Sequence, residues 1–353
     1  MIKLEARAAP SALMAWLSPL LAIMLTVLCG ALLFIALGKD PLAGLAVFFI
    51  EPLRGVQGWA ELGLKVAPLL LVSVGLVICL RAHVYNIGAE GQLVLGAIAG
   101  GATGLYLDGI GASGAGPMTL VLLAGMLGGM VWAGITAFLR DRYHASEILV
   151  SLMLVYIGQL LLSYLVYGVL KDPDGFNFPQ SKLLSDAMLL PIVISGTRLH
   201  LGIVLALLAA LGGWLFLSKS VSGFRLRVGG MAPAAARYAG FSSRKALWTS
   251  LLACGALSGL AGVCEVAGPL GQLTPSVSPG YGFAAIIVAF VGRLHPVGVI
   301  FSSIVMALFY IGGELAQSRL GMPSAITGVF QGILLFALLG CDVLIQYKLR
   351  WRK

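Results

Sequence analysis

The chain has 353 residues, 59% of them hydrophobic and 10% charged. An average soluble domain carries about 25% charged residues, and here apolar runs of spanning length recur without leaving a segment of soluble-domain size. The net charge of +9 does not point to nucleic acid, because the basic residues gather at the ends of apolar runs, as in membrane proteins.

A helix needs about 20 apolar residues to cross the hydrocarbon core. The sequence predicts an all-α polytopic membrane protein of about ten segments, near 17–38, 62–80, 86–107, 117–139, 147–170, 199–217, 246–268, 281–292, 296–313 and 322–345. Together they form a single transmembrane domain over 1–353. Lys3 and Arg7 precede the first run with no small-residue cleavage site after it, so it is expected to be an uncleaved span.

The second and third runs are separated by Asn86-Ile-Gly-Ala-Glu-Gly-Gln92. Polar groups at membrane depth are costly and belong to a pathway or a partner. The box is expected to break and restart a helix, with Asn86 capping it and Glu90 in its first turn favoured by the helix dipole. Further on, Gly125-x-x-x-Gly129 and Gly255-x-x-x-Gly259 have the spacing that lets membrane helices touch.

The loop 218–245 holds Lys219, Arg225, Arg227, Arg237, Arg244 and Lys245 and no acid. Within it Pro233-Ala-Ala-Ala-Arg-Tyr-Ala239 predicts a short helix, started by proline and stopped by Gly240. Its three alanines make a low-profile surface for another protein to grip.

The eighth segment is too short to span: twelve residues rise about 18 Å. It follows Gly268-Pro-Leu-Gly-Gln-Leu-Thr-Pro-Ser-Val-Ser-Pro-Gly280, and a non-helical stretch at this depth is tolerated only when buried in protein or lining a cavity. With both termini in the cytoplasm, 16 of the 23 basic residues fall inside, which obeys the positive-inside rule. The two interrupted helices then occupy matching places in inverted halves, each preceded by one span and followed by two, the pattern that marks a transport pathway.

Four stretches carry a family resemblance: Asn86 to Gln92; Glu147-Ile-Leu-Val-Ser-Leu-Met-Leu154; Gly223-Phe-Arg-Leu-Arg-Val-Gly229 with Ala235 to Gly240; and Gly280-Tyr-Gly-Phe-Ala-Ala-Ile-Ile-Val-Ala289 with His295-Pro-Val-Gly298. In family order, they resemble the permease subunits of bacterial ABC importers of the sugar, nucleoside and branched-chain amino-acid group, closest to nucleoside (guanosine/uridine-type) permeases. Two positions depart from that pattern: Val155 stands where such permeases commonly have Asn, and Met231-Ala-Pro233 where they carry a polar residue.

The resemblance implies a permease in the bacterial inner membrane, working with a second permease subunit, identical or related. A cytoplasmic ATP-binding subunit would grip a coupling helix in 218–245, at Gly229, Pro233, Ala235, Ala236 and Gly240. A periplasmic or lipid-anchored binding protein would deliver the solute, a nucleoside or related compound. No Gly-x-x-x-x-Gly-Lys-Ser/Thr phosphate loop occurs in the chain, so the energy comes from a partner or a gradient. A simple-sugar permease is the alternative for substrate, and an ion-coupled secondary transporter the alternative for mechanism.

Asn86, Glu90, Gln92, Tyr281 and Phe283 are the candidate pathway residues, expected around one mid-membrane cavity. Each has a structural alternative, Glu90 and Asn86 as helix-start residues and the aromatics as packing. Glu265, late in the seventh span, reads as an interhelical hydrogen-bonding group. Neither the five cysteines nor the four histidines show metal-ligand spacing, no catalytic triad is legible, and no cofactor is expected.

Overall fold

The computed structural model describes residues 2–7 and 11–351. Its helices, in chain order, are α1 (Ala12–Ala36), α2 (Pro41–Leu45), α3 (Gly55–Arg81), α4 (Ala89–Gly109), α5 (Ala115–Tyr143), α6 (Glu147–Tyr167), α7 (Gly202–Lys219), α8 (Val221–Met231), α9 (Pro233–Tyr238), α10 (Ser243–Glu265), α11 (Tyr281–Val291), α12 (Gly298–Leu320) and α13 (Ile326–Gln346). Eight helices among the described residues are long and apolar enough to cross a membrane. The 21-residue α4, with Glu90 and Gln92 in its first turns, and the eleven-residue α11 complete the expected set of about ten segments. The chain is an all-α polytopic membrane protein.

Contacts divide it into two compact units, Met1–Leu62 with Val305–Lys353, and Gly63–Ile304. In the first, α1 packs on α13 through aromatic rings. Phe48 stacks on Phe330 at 4.2 Å between centroids, and Phe309 meets Phe330 edge-on at 5.9 Å. Gly30 lies against the Phe330 ring and Gly44 against Phe34. Phe48 belongs to a helical segment over 41–53 that the sequence did not announce, because charged residues at Asp40, Glu51 and Arg54 cut its apolar run short. Asp40 starts it by accepting the Leu42 N–H at 2.9 Å, ahead of Pro41.

A second unannounced feature is a two-stranded antiparallel ribbon, β1 (Ile2–Ala6) with β2 (Tyr347–Trp351), in which Ile2 stands opposite Trp351. Both strands alternate apolar and charged residues, the period-two pattern of a half-exposed strand, but they are too short for periodicity to stand out beside long helices.

The second unit is built on glycine. The two small-residue motifs do face each other. A Cβ at Gly129 would lie 2.1 Å from the Gly255 carbonyl oxygen, and one at Gly259 would lie 2.2 Å from that of Gly125. Gly96 of α4 sits on Gly259 as closely, since a Cβ on Gly96 would lie 2.2 Å from the Gly259 Cα. Helices α4, α5 and α10 thus touch backbone to backbone, which only glycine permits. α10 is correspondingly enclosed, 78% of its apolar window being buried, whereas α5 and α6 have only 22% buried and present Leu120, Leu123, Leu127 and Leu160 outward. In a membrane protein that outer apolar surface faces lipid.

The stretch 218–245, expected as a loop with one short helix, holds two helices. Ser220 caps α8 by accepting the Gly223 N–H at 2.9 Å, a signal overlooked beside the loop's dense positive charge.

Candidate functional site

The polar box at the start of α4 closes on itself. Asn86 Nδ2 donates to Gln92 Oε1 at 3.0 Å, and Gln92 Nε2 donates to Asn86 Oδ1 at 3.1 Å. Asn86 Oδ1 also accepts the Gly88 N–H at 3.0 Å, an Asx turn. The expectation that Asn86 caps α4 is therefore corrected: Gly88 occupies the N-cap, without a side-chain bond, and the helix begins at Ala89. The asparagine sits two residues too early, and the N-cap position is held by Gly88, which must lie flat on α6, where a Cβ would come within 2.8 Å of Ser151. Ser151 Oγ accepts the Ile87 N–H at 3.2 Å and so anchors the turn. Gly91 lies against the backbone of Val155, whose side chain is buried.

The two interrupted helices meet at their N-termini. Glu90 Oε2 accepts the Gly282 N–H at 2.6 Å, and its carboxylate is also hydrogen-bonded by the Ser278 hydroxyl and the Gly280 N–H. Ser278 Oγ in turn accepts the Tyr281 N–H at 3.1 Å. A Cβ on Gly282 would stand 2.3 Å from the Glu90 nitrogen, so α4 and α11 cross backbone to backbone here. The N–H groups of Tyr281 and Gly282 at the start of α11 are thus taken up by the chain's own side chains. Ser278 was missed, although a serine two residues before a helix-starting glycine is a legible capping signal.

Of the candidate pathway residues, the structure joins Glu90 to the segment 278–282 beside Tyr281, which is 1% exposed. It turns Gln92 toward Asn86 instead, and it leaves Phe283 40% exposed. Residues 281 and 283 point to different sides of one helix. Phe283 shares its face with Ile286, Ile287 and Phe290, the i, i+3, i+4, i+7 spacing of one stripe, each half-buried or exposed. The sequence singled out Phe283 alone because α11 is apolar all round.

The non-helical stretch before α11 is held by 180–190. Ser181 N–H bonds the Leu273 carbonyl at 3.0 Å, Leu184 N–H that of Gly271 at 2.8 Å, and Leu190 N–H that of Ala267 at 2.7 Å. This provides the partners that irregular backbone needs at depth. His200 packs beside Gly268, accepts the Gly202 N–H on Nδ1 at 3.1 Å and is lowered by burial to about 4.

At the other end of the unit, α8, α9 and the start of α10 form a module. Pro233 opens α9, Ala236 is buried, and Ala235 and Arg237 are exposed. Tyr238 is 98% exposed. Gly240 stops the helix at φ +75, a left-handed conformation that favours glycine. Gly229 borders open space. α8 presses on the end of α3, where a Cβ at Gly230 would lie 2.3 Å from the Arg81 carbonyl oxygen. Arg81 Nε donates to the Leu294 carbonyl at 2.9 Å, just beyond α11. Arg81 therefore links the end of α3, on which α8 rests, to the turn after the short interrupted helix. Among the described residues no cluster of three His, Cys, Asp or Glu could hold a metal.

Two half-helix starts bonded to each other within a bundle of spanning helices, with a surface module packed against the end of α3, define the class of membrane permeases with interrupted helices. More narrowly, residues 60–339 match the family described as branched-chain amino acid transport system / permease component, and the chain belongs to it. It is 32% identical to the glucose ABC transporter permease protein of Haloferax volcanii, over 98% of this chain and 93% of that protein. It is 31% identical to the guanosine ABC transporter permease protein of Bacillus subtilis, over 90% and 91%, and 26% identical to a nucleoside ABC transporter permease protein of Lactococcus lactis, over 91% and 89%. The chain is thus an ABC importer permease, a multi-pass membrane component.

Proposed function

We propose that this chain forms half of the translocation path for a nucleoside or closely related solute, driven by a separate ATP-binding subunit and fed by a substrate-binding protein. The stripe Phe283, Ile286, Ile287 and Phe290 on α11 carries this reading. It is an apolar, aromatic-bearing face, exposed at Phe283 and Phe290 and half-buried at Ile286 and Ile287, on a helix whose opposite side is locked to α4 through Glu90. In a pair of permeases, identical or related, such a face borders the path, and an aromatic ring there offers a nucleobase a stacking surface. Glu90, Asn86 and Gln92 act as positioning residues that set α11. The guanosine and nucleoside relatives support the substrate class.

α9 is the coupling helix, and Arg81 carries its displacement to α11. The chain itself hydrolyses no ATP. The density of Lys and Arg in 218–245 supports a cytoplasmic position for this module in the bacterial inner membrane. The pairing of β1 with β2 supports both termini on one side, the cytoplasmic one.

Uptake into vesicles holding the permease pair, its ATP-binding subunit and its binding protein tests the reading. Radiolabelled guanosine should accumulate only with internal or external ATP on the module's side, and unlabelled glucose should not compete. A second reading, sugar import, rests on the 32% identity to the glucose permease. Competition by glucose and not by guanosine would replace the first with the second.

A further inference from the structure

Lys65 is a charged residue inside the spanning helix α3, whose apolar window is 89% buried. A charged side chain in such a place is costly and marks a pathway or a partner. Lys65 is half-buried, and every residue of α3 beyond it, from Val66 to Cys79, is buried. It is therefore the last point before the enclosed run at which α3 opens outside the packed chain. The open side does not face acyl chains, where an ammonium would lose its hydration without compensation. Lys65 Nζ lies 5.9 Å from the centroid of the Tyr281 ring. Tyr281 begins α11 and is buried, and Lys65 is one of the groups that cover it. The first turn of this half-helix is a tip around which a solute can pass. Lys65 stands on the Tyr281 side of that tip, and the exposed Phe283 points to the other.

We propose that Lys65 selects the base of the solute, an inference that rests on the path carrying a nucleoside. An ammonium has three N–H donors and no acceptor, and a ring face engages its charge rather than any one of those hydrogens. It favours an acceptor on the solute and opposes another donor. Guanine and the uracil-type bases present a carbonyl oxygen where adenine and cytosine present an amino group. The substrate class is therefore nucleosides of oxo bases, in preference to those of amino bases. Ribose hydroxyls are common to both and give no preference. Phe283 supplies a stacking face that suits any base, so the choice between bases falls to Lys65.

Inosine and adenosine differ in the base only by this exchange of carbonyl for amine, so they are the probes. Ligand-observed NMR on the purified permease pair with its ATP-binding subunit reads the affinity for each. The substrate-binding protein is left out, so its own selectivity does not enter. The wild type should hold inosine about 10-fold more tightly than adenosine, the effect of one hydrogen bond to a charged group. Lys65→Met should remove that difference by weakening inosine alone, with the thermal midpoint showing that the variant is folded. Lys65→Gln, whose amide both donates and accepts, should narrow the difference and serves where the Met variant does not fold. Equal affinities in the wild type, an unchanged preference in a folded variant, or equal weakening of both nucleosides would overturn the proposal and leave nucleoside transport standing. Binding of neither nucleoside to the wild type would remove the nucleoside reading, and the proposal with it.

Discussion

At the start of α4 the polar side chains have polar partners inside the chain, whereas around the start of α10 Arg225, Arg237 and Lys245 have no acid partner among the described residues. Asn86 and Gln92 bond each other twice, and Glu90 is spent on the backbone of α11. Arg225, Arg237 and Lys245 converge on open volume. The difference follows from depth. In the bilayer core an unsatisfied polar group costs several kcal/mol, so polar residues there persist only when bonded, and they then fix geometry. At the membrane surface water keeps an unpaired cation inexpensive until something outside the chain arrives. A buried polar box thus sets the shape of the permease, and an exposed basic one addresses its surroundings.

That division predicts a graded series of effects on stability. The largest belongs to Gly282→Val, whose added carbons have no room beside the Glu90 backbone. A loss of about 3 kcal/mol or more should appear as a collapsed thermal midpoint in detergent, and an unchanged midpoint would mean that α4 and α11 are not in contact. Next comes Gln92→Leu, which takes from the buried Asn86 amide both of its bonds to Gln92 and leaves it only the Gly88 N–H and the weakly accepting Cys254 sulfur. About 1–3 kcal/mol is expected, and the double change with Asn86→Leu should cost less than the two singles combined, read by the same unfolding assay.

The effect of acid is smaller and conditional. His200, lowered to about 4 from its ordinary 6.5, is neutral in the folded chain where the unfolded chain takes up a proton. Its contribution is fully present above pH 6.5 and is lost progressively as pH falls toward 4. His200→Phe should flatten the fall in thermal midpoint across that window, and an equally steep fall in the variant would show that another group is responsible. The smallest effect on stability belongs to Ala235→Asp, on the exposed side of α9. Unfolding should shift by no more than about 0.5 kcal/mol, yet ATP-dependent uptake should be lost because the low-profile surface has gained a charge. Normal uptake would reduce α9 to a connecting turn.

How much of this was legible varies with the type of contact. The glycine contacts of α5 with α10 were readable, because their four-residue spacing is itself the geometry of the interface. The short helix 233–238 and its stop at Gly240 were readable from proline and glycine. The meeting of Glu90 with Gly282 was legible only as two odd boxes in matching places, since the bond joins residues 192 apart in sequence. The aromatic cluster around Phe330 left no pattern at all, because rings from α1, 46–50, α12 and α13 combine only after folding. Arg81 was hidden by its setting: one arginine at a helix end reads as topology, and its carbonyl partner beyond α11 carries no residue-specific signal.

The most direct test of α9 as the element that meets an ATP-binding subunit places a photo-crosslinking residue at Tyr238, 98% exposed, and separately at Phe176, 94% exposed in the loop after α6. Irradiation of native membranes should join position 238 to an ATP-binding subunit and position 176 to none. A crosslink to that subunit from position 176, or its absence from position 238 in transport-competent membranes, would contradict the assignment.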